Sequence, residues 1–289
     1  MTGDALKIHA RPAIEDARMV LGLSGWMNGG DVSTGSVGHL IRALKAMPLA
    51  EIAPEGFYIY NFPGSMEVSA LFRPHTKIED GLVKTYEPPR NAFHCDAGSR
   101  LILFLGKEPN LNWEAYAACL FRVASTFDVR TMYFVGSYAG VVPHTRDPRL
   151  YASVSEASLK EGLAAHGIRF SNYNGPAGIS TYLTELAAER GIRIATLVAE
   201  IPAYVQGTNP RCIEAVTRRL SAILGLQVNL DDLRATSDRF EARVSEAVRS
   251  RAELAQMVHK MEGEYDSELF ETQMGDLKEW LEQRGIRLD

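Results

Sequence analysis

The side chains of Gly140-Val141-Val142-Pro143-His144-Thr145-Arg146-Asp147-Pro148 carry the richest chemistry in this sequence. An arginine fork grips a carboxylate or phosphate through two hydrogen bonds, threonine adds a hydroxyl, and the imidazole of His144 changes protonation near neutral pH. The trio therefore suits holding an anion or acting as an acid or base. The same residues also suit a structural loop, in which Arg146 and Asp147 pair with each other or with a neighbouring subunit while Pro143 and Pro148 stiffen the backbone.

A second constellation is Gly25-Trp26-Met27-Asn28-Gly29-Gly30-Asp31, between the apolar run Met19–Leu23 and a helical pattern. It reads as a strand, a glycine turn and a helix start. Such a junction offers unpaired N–H groups at the positive end of a helix dipole, with Asn28, Asp31 and Ser33 alongside, and can cradle an anionic or carbonyl ligand. The competing reading is a tight turn in which glycine takes positive φ and Asp31 or Ser33 caps the helix. Asn28, Gly29, Gly30, Asp31, Ser137, His144, Thr145 and Arg146 form the candidate ligand-binding set. No catalytic residue is assigned, and neither a metal nor a cofactor is expected.

Other motifs are sparse. Asn174-Gly175-Pro176-Ala177-Gly178 reads as helix-start turn chemistry or a close approach of backbone to a ligand. Glu200 is a lone carboxylate at a strand end, suited to general-base work or to an ion pair. No G-x-x-x-x-G-K-[ST], G-x-G-x-x-G, H-E-x-x-H, paired C-x-x-C or G-x-S-x-G occurs; Gly22-Leu23-Ser24-Gly25 falls one residue short of the last. Ser24, Ser137 and His144 form a nucleophilic set only if the fold brings them together. Cys95, Cys119 and Cys212 are too scattered for a disulfide framework or a zinc cluster.

The elements that must position these loops follow from periodicity. Apolar, β-branched runs at Met19–Leu23, Gly56–Tyr60, Leu101–Leu105, Thr131–Val135, Arg169–Tyr173 and Ile192–Ile201 predict strands. Helices are predicted at Val32–Ala46, Asn112–Phe127, Glu156–His166, Ile179–Arg190 and Pro210–Leu224, with Asn112, Ser155 and Asn209 at their starts. That alternation predicts an α/β fold with a mainly parallel sheet covered on both faces, so ligands collect beyond the strands' carboxyl ends, where the two constellations share an edge. Pro63, Pro74, Pro88 and Pro89 interrupt the alternation around Gly81–Tyr86, which predicts a hairpin excursion over 61–93. Beyond Gly225 the pattern predicts an α-helical appendage: a long helix capped by Asp231–Asp232 with an apolar stripe from Leu233 to Tyr265, then a second around Leu269–Leu281. The expected division is an α/β domain over 1–228 and a helical appendage over 229–289.

Composition excludes several classes. With 289 residues, 46% hydrophobic and 23% charged, the chain can bury a sizeable core. Of its net charge of −5, the segment from Asp231 onward holds 9 Lys+Arg against 15 Asp+Glu, leaving 22 against 21 before it. A balanced body and an acidic tail argue against nucleic acid, which needs a basic stripe. Charges throughout the first twenty residues and the lack of a long apolar stretch argue against a leader or membrane span and predict a cytoplasmic protein.

At these loops the chain resembles the proteasome assembly chaperone 2 family, some members of which carry an ATP-grasp label that their motifs do not justify. The likeness lies in Gly25-Trp26-Met27-Asn28-Gly29-Gly30 (similar to G-W-x-D-A-G) and in Gly140 to Arg149 (similar to G-V-P-H-T-R-P-P-R). Asn174 to Ile179, and Ile201-Pro202-Ala203-Tyr204-Val205 followed by Asn209-Pro210, complete it. The resemblance implies a phosphorylase/hydrolase-like three-layer sandwich with a mixed sheet, self-association into rings or trimers, and contact with protein partners. Asn28 stands where the family has Asp, Asp147 where it has Pro, and Ala203 where His is frequent. Proteasome-docking relatives end in a hydrophobic residue, a tyrosine and any residue; this chain ends Arg287-Leu288-Asp289, so docking by that tail is not expected. The leading expectation is a non-enzymatic homo-oligomeric interaction protein. The alternative is a small-molecule binder or enzyme of phosphorylase/hydrolase type acting on an anionic ligand.

Overall fold

The structure, a computed structural model, describes residues 5–283; Arg287-Leu288-Asp289 lies outside them. The chain opens with β1 (Leu6–Ile8) and β2 (Ala17–Ser24), passes a 3-10 turn at Gly29–Asp31 into α1 (Val32–Ala43), and returns as β3 (Met47–Ile52). An excursion then holds α2 (Met66–Ala70) and a hairpin of β4 (His75–Glu79) and β5 (Leu82–Glu87). Next come β6 (Asn91–Asp96), β7 (Leu101–Lys107), α3 (Trp113–Thr126), β8 (Val129–Gly140), β9 (Leu150–Val154) and α4 (Leu159–Ala164). They are followed by β10 (Arg169–Phe170), α5 (Ile179–Ala188), β11 (Arg193–Pro202), α6 (Pro210–Leu224), α7 (Asp231–Arg249) and α8 (Ala252–Gln283).

Nine strands form one mixed sheet in the order β1-β3-β6-β7-β2-β8-β11-β9-β10. The centre, β7-β2-β8-β11, is parallel, while β1, β3, β6 and β9 join antiparallel on its flanks. The near-continuous apolar run of β2 is explained by helices on both faces. One core cluster joins the sheet to α3 and α5, and the other joins it to α1, α4 and α6. Gly22 is needed in β2 because a Cβ there would meet Val37 Cγ2 at 2.7 Å and the Ser33 carbonyl at 2.9 Å. Removing the side chain lets α1 lie directly on the strand that feeds it.

The prediction of a mixed three-layer α/β sandwich holds, as does the hairpin in the excursion. Gly56–Tyr60, predicted as a strand, is a loop: Phe57 and Tyr58 are buried through their side chains, and the Tyr58 hydroxyl lies 2.8 Å from two acceptors that share its proton, Asn91 Oδ1 and the Lys107 carbonyl. Its place in the sheet is taken by β3 and β6. Ser155 does not open a helix; its Oγ accepts from Ile194 N–H, and α4 starts at Leu159. Asn112 precedes α3 but spends its amide on the Gly56 carbonyl rather than on the helix. Asn209 caps α6 as predicted, accepting from Cys212 N–H at 3.0 Å ahead of Pro210, and Gly225 closes that helix with φ 64°.

The tail departs most from expectation. Asp231 and Asp232 lie in the first turn of α7 and Leu230 holds the cap position. The long helix breaks at Ser250–Arg251, where Ser250 Oγ donates to the Ala247 carbonyl, and the second helix is an uninterrupted run from Ala252 that takes in Leu269–Leu281.

Candidate functional site

The glycine turn is folded onto its neighbours. Ser137, at the carboxyl end of β8, donates from its backbone N–H to the Met27 carbonyl at 3.0 Å and from Oγ to the Gly29 carbonyl at 2.7 Å. A Cβ on Gly29 would meet Ile201 Cδ1 at 3.1 Å, and one on Gly30, whose φ is 61°, would meet Asn209 Cβ at 2.9 Å. The glycines thus allow the turn to sit against β11 and the start of α6. Neither Asp31 nor Ser33 caps α1: Asn28 does, its Oδ1 accepting from Thr34 N–H at 3.0 Å. Asp31 Oδ2 takes the Thr208 hydroxyl, and Ser33 Oγ donates to the Val135 carbonyl while accepting from Leu23 N–H.

A carboxylate that the sequence reading passed over stands at the next strand end. Glu108 accepts from Trp26 N–H at 2.9 Å and from Ile179 N–H, at the start of α5, at 3.4 Å. It joins the glycine turn to the Asn174–Gly178 turn and puts a negative charge on a helix N-terminus. Its place directly after β7 was the signal that would have found it.

His144 is buried beneath the tail. Its backbone N–H donates to the Tyr204 oxygen at 2.8 Å, the Tyr204 hydroxyl reaches Nδ1 at 2.8 Å, and Nε2 meets Ser245 Oγ of α7 at 3.0 Å. A tyrosine hydroxyl donating to Nδ1 leaves the proton on Nε2, which then donates to Ser245; this tautomer follows from the partners. Burial pushes the imidazole below its ordinary value of 6.5, with Arg211 acting in the same direction and Glu241 and Glu262 against it. The neutral ring is thus a structural link between the loop and α7.

The cations after His144 all meet carboxylates. Thr145 Oγ1 donates to Glu262, and Arg146 grips Asp266 with Nε at 2.9 Å and Nη2 at 2.8 Å. Arg149 bridges Glu200 at 3.3 Å and Glu268, and lies 4.6 Å over the Tyr265 ring; Arg169 binds Glu268 as well. Asp147 receives Arg218 at 2.8 Å and Arg211 at 3.7 Å, and its carbonyl takes the Tyr265 hydroxyl. Arg146 and Asp147 therefore pair with α8 and α6 rather than with each other. Glu200 is ion-paired, and it also accepts from Val141 N–H at 2.9 Å.

The two constellations do share the carboxyl edge of the sheet, meeting at Asn28 and Ser137, but His144, Thr145 and Arg146 turn toward the tail. Two concavities are formed by the described residues. One of about 470 Å3 runs between Tyr204 and the α7–α8 elbow at Phe240, Val244 and Arg251, and another of about 510 Å3 lies beside the excursion at Phe72, Arg73, His75, Arg90 and Lys107.

The PAC2 family profile matches residues 22–248. No curated protein matches the sequence. Among solved structures, the Mycobacterium tuberculosis protein of unknown function Rv2714 is similar over 96% of this chain and 94% of its own, with a TM-score of 0.82 and 21% identity. The Mycobacterium tuberculosis proteasome-assembly chaperone homologue Rv2125 is similar over 83% of this chain and 99% of its own (TM-score 0.71, 28% identity). The Pyrococcus furiosus archaeal proteasome activator PbaB is similar over 84% and 97% (TM-score 0.63, 21% identity).

Proposed function

Because the chain belongs to the PAC2 family, we propose that it is a non-enzymatic, homo-oligomeric interaction protein of the assembly-chaperone kind, working in the cytoplasm on protein partners. One observation carries this reading: the side-chain donors of Ser137, Thr145 and Arg146 are engaged by the chain's own carbonyls and carboxylates and His144 by the hydroxyls of Tyr204 and Ser245, while large apolar side chains are bared on the excursion. Met66 is 87% exposed, Leu71 77% and Val83 66%, and every residue of β4 and β5 is exposed. A two-stranded hairpin with both faces wet is marginal by itself and gains from a cover. Residues 61–90 carry four Lys/Arg and four Asp/Glu, a balance suited to a second copy rather than to a strongly charged partner. In this reading residues 1–228 form the α/β body and 229–289 an appendage. No helix among the described residues is long and apolar enough to cross a membrane. The description of Rv2125 as a proteasome-assembly chaperone homologue is in keeping with an assembly role.

Sedimentation velocity tests the proposal. The wild type is expected to run above its monomer mass of 31.9 kDa and Leu71→Asp/Val83→Asp as a folded monomer; a monomeric wild type overturns self-association.

The meeting of the glycine turn with Ser137 favours the second reading, an anionic ligand held by Asn28–Asp31, Ser137, His144, Thr145 and Arg146. It requires α8 to release Thr145 and Arg146 and α7 to release His144. A melting shift with phosphate, nucleotides or small carboxylates that is lost in Arg146→Ala would establish it over the first.

A further inference from the structure

We propose that the arginine row Arg146, Arg149 and Arg169 is a receptor for acidic amphipathic helices, with α8 as its resident and displaceable occupant. The inference holds whether or not copies of the chain associate through the excursion.

The row is assembled from separate parts of the chain, the loop after β8 and the edge strand β10, so its convergence on one helix face is a property of the fold. The ligand pattern is that of α8 itself: Glu262, Tyr265, Asp266 and Glu268, with the carboxylates on the three arginines and the tyrosine stacked on Arg149 with its hydroxyl on the Asp147 carbonyl. An incoming helix of a partner protein needs carboxylates at i, i+4 and i+6 with an aromatic at i+3.

The attachment of α8 differs from that of α7. α7 buries Phe240, Val248 and Ser237, whereas among the described side chains of α8 only Val258 is buried. The ion pairs of α8 are partly wet: Asp266 is 52% exposed and Glu268 44%. Exposed pairs contribute little each and are screened by salt, so a helix held mainly by them exchanges easily with a competitor of the same pattern. The break at Ser250–Arg251 lets α8 leave while α7 stays.

The test uses the full chain and a fluorescein-labelled synthetic peptide of residues 252–283, followed by anisotropy. Glu262→Gln/Asp266→Asn/Glu268→Gln weakens the resident helix without touching the row and should bind the peptide about tenfold tighter than wild type, because the cis competitor is removed. Binding should fall by about tenfold or more between 0.05 and 0.5 M NaCl and be lost in Arg146→Ala/Arg169→Ala. Equal affinity for wild type and amide variant, or equal binding of a scrambled peptide, overturns the proposal. Hydrogen exchange on the unmodified protein keeps it falsifiable if a variant misfolds: α8 amides should lose protection in 0.5 M NaCl while β2, β8 and β11 keep theirs, and unchanged α8 protection refutes displaceability. Protection of α8 that depends on protein concentration would identify a second copy's helix as the occupant and overturn the cis arrangement.

Discussion

Glu200 and Arg149 show how much one pair of side chains can fix. Both are about nine-tenths buried, at 11% and 12% exposure, and a Cβ on Gly140 would collide with the Glu200 side chain, so the glycine is what admits the pair. Removing one partner of a buried pair strands the other charge and costs about 3–5 kcal/mol. Arg149→Ala should therefore lower the unfolding free energy by about 3 kcal/mol in a denaturant titration, and a loss below about 1 kcal/mol would mean that water reaches Glu200. Acidity acts through other side chains. The hydrogen bond from Arg146 holds the Asp266 carboxyl below its ordinary 3.8; burial pushes Glu268 up, but Arg169 and Arg149 outweigh it and hold it below 4.5. His144 lies below 6.5 for want of solvent. In all three the unfolded chain binds protons more readily than the folded one, so the stabilisation is complete above the ordinary values and is lost as pH falls through the lowered ones. Denaturation midpoints measured from pH 7 downward past the lowered carboxylate values should decline, and in His144→Gln the part of the decline that begins below pH 6.5 should vanish.

Among the elements, α7 is the anchor of the tail and α8 its loose end. Phe240→Ala should cost about 3 kcal/mol and expose α7 and α8 together in hydrogen exchange, whereas Val258→Ala, at about 1–2 kcal/mol, should loosen α8 alone. If Val258→Ala opened both helices, the anchor would be misassigned. The sequence disclosed the central strands well, because β2, β7, β8 and β11 are buried on both faces and read as unbroken apolar runs. It concealed β3 and β6, since Pro48, Asn91, His94 and Asp96 interrupt their pattern and their pairing is settled by neighbours far along the chain. The four turn motifs were legible from their glycines and polar residues. The carboxylates that answer them were not: Glu262, Asp266 and Glu268 follow the spacing of a solvated helix face, and periodicity along a helix says nothing of which loop that face will meet.

For the whole molecule, the two kinds of adhesion proposed above should respond oppositely to salt. Contact between copies through the apolar excursion should persist or tighten in 0.5 M ammonium sulfate, whereas the seat of α8 should weaken in 0.5 M NaCl. Sedimentation in the first and hydrogen exchange in the second separate them; dissociation in ammonium sulfate would mean that the contact between copies is ionic. The length of α8 has a mechanical consequence. Its seat runs from Val258 to Glu268, but the helix continues to Gln283, about 22 Å farther at 1.5 Å per residue. Leu269, Phe270, Glu271 and Thr272 are exposed at the start of that extension. Were α8 to pivot on the three arginines as proposed, it would act as a lever: a small tilt at the fulcrum would carry Gln283 through a much larger arc, and a force applied there would be multiplied where the carboxylates are gripped.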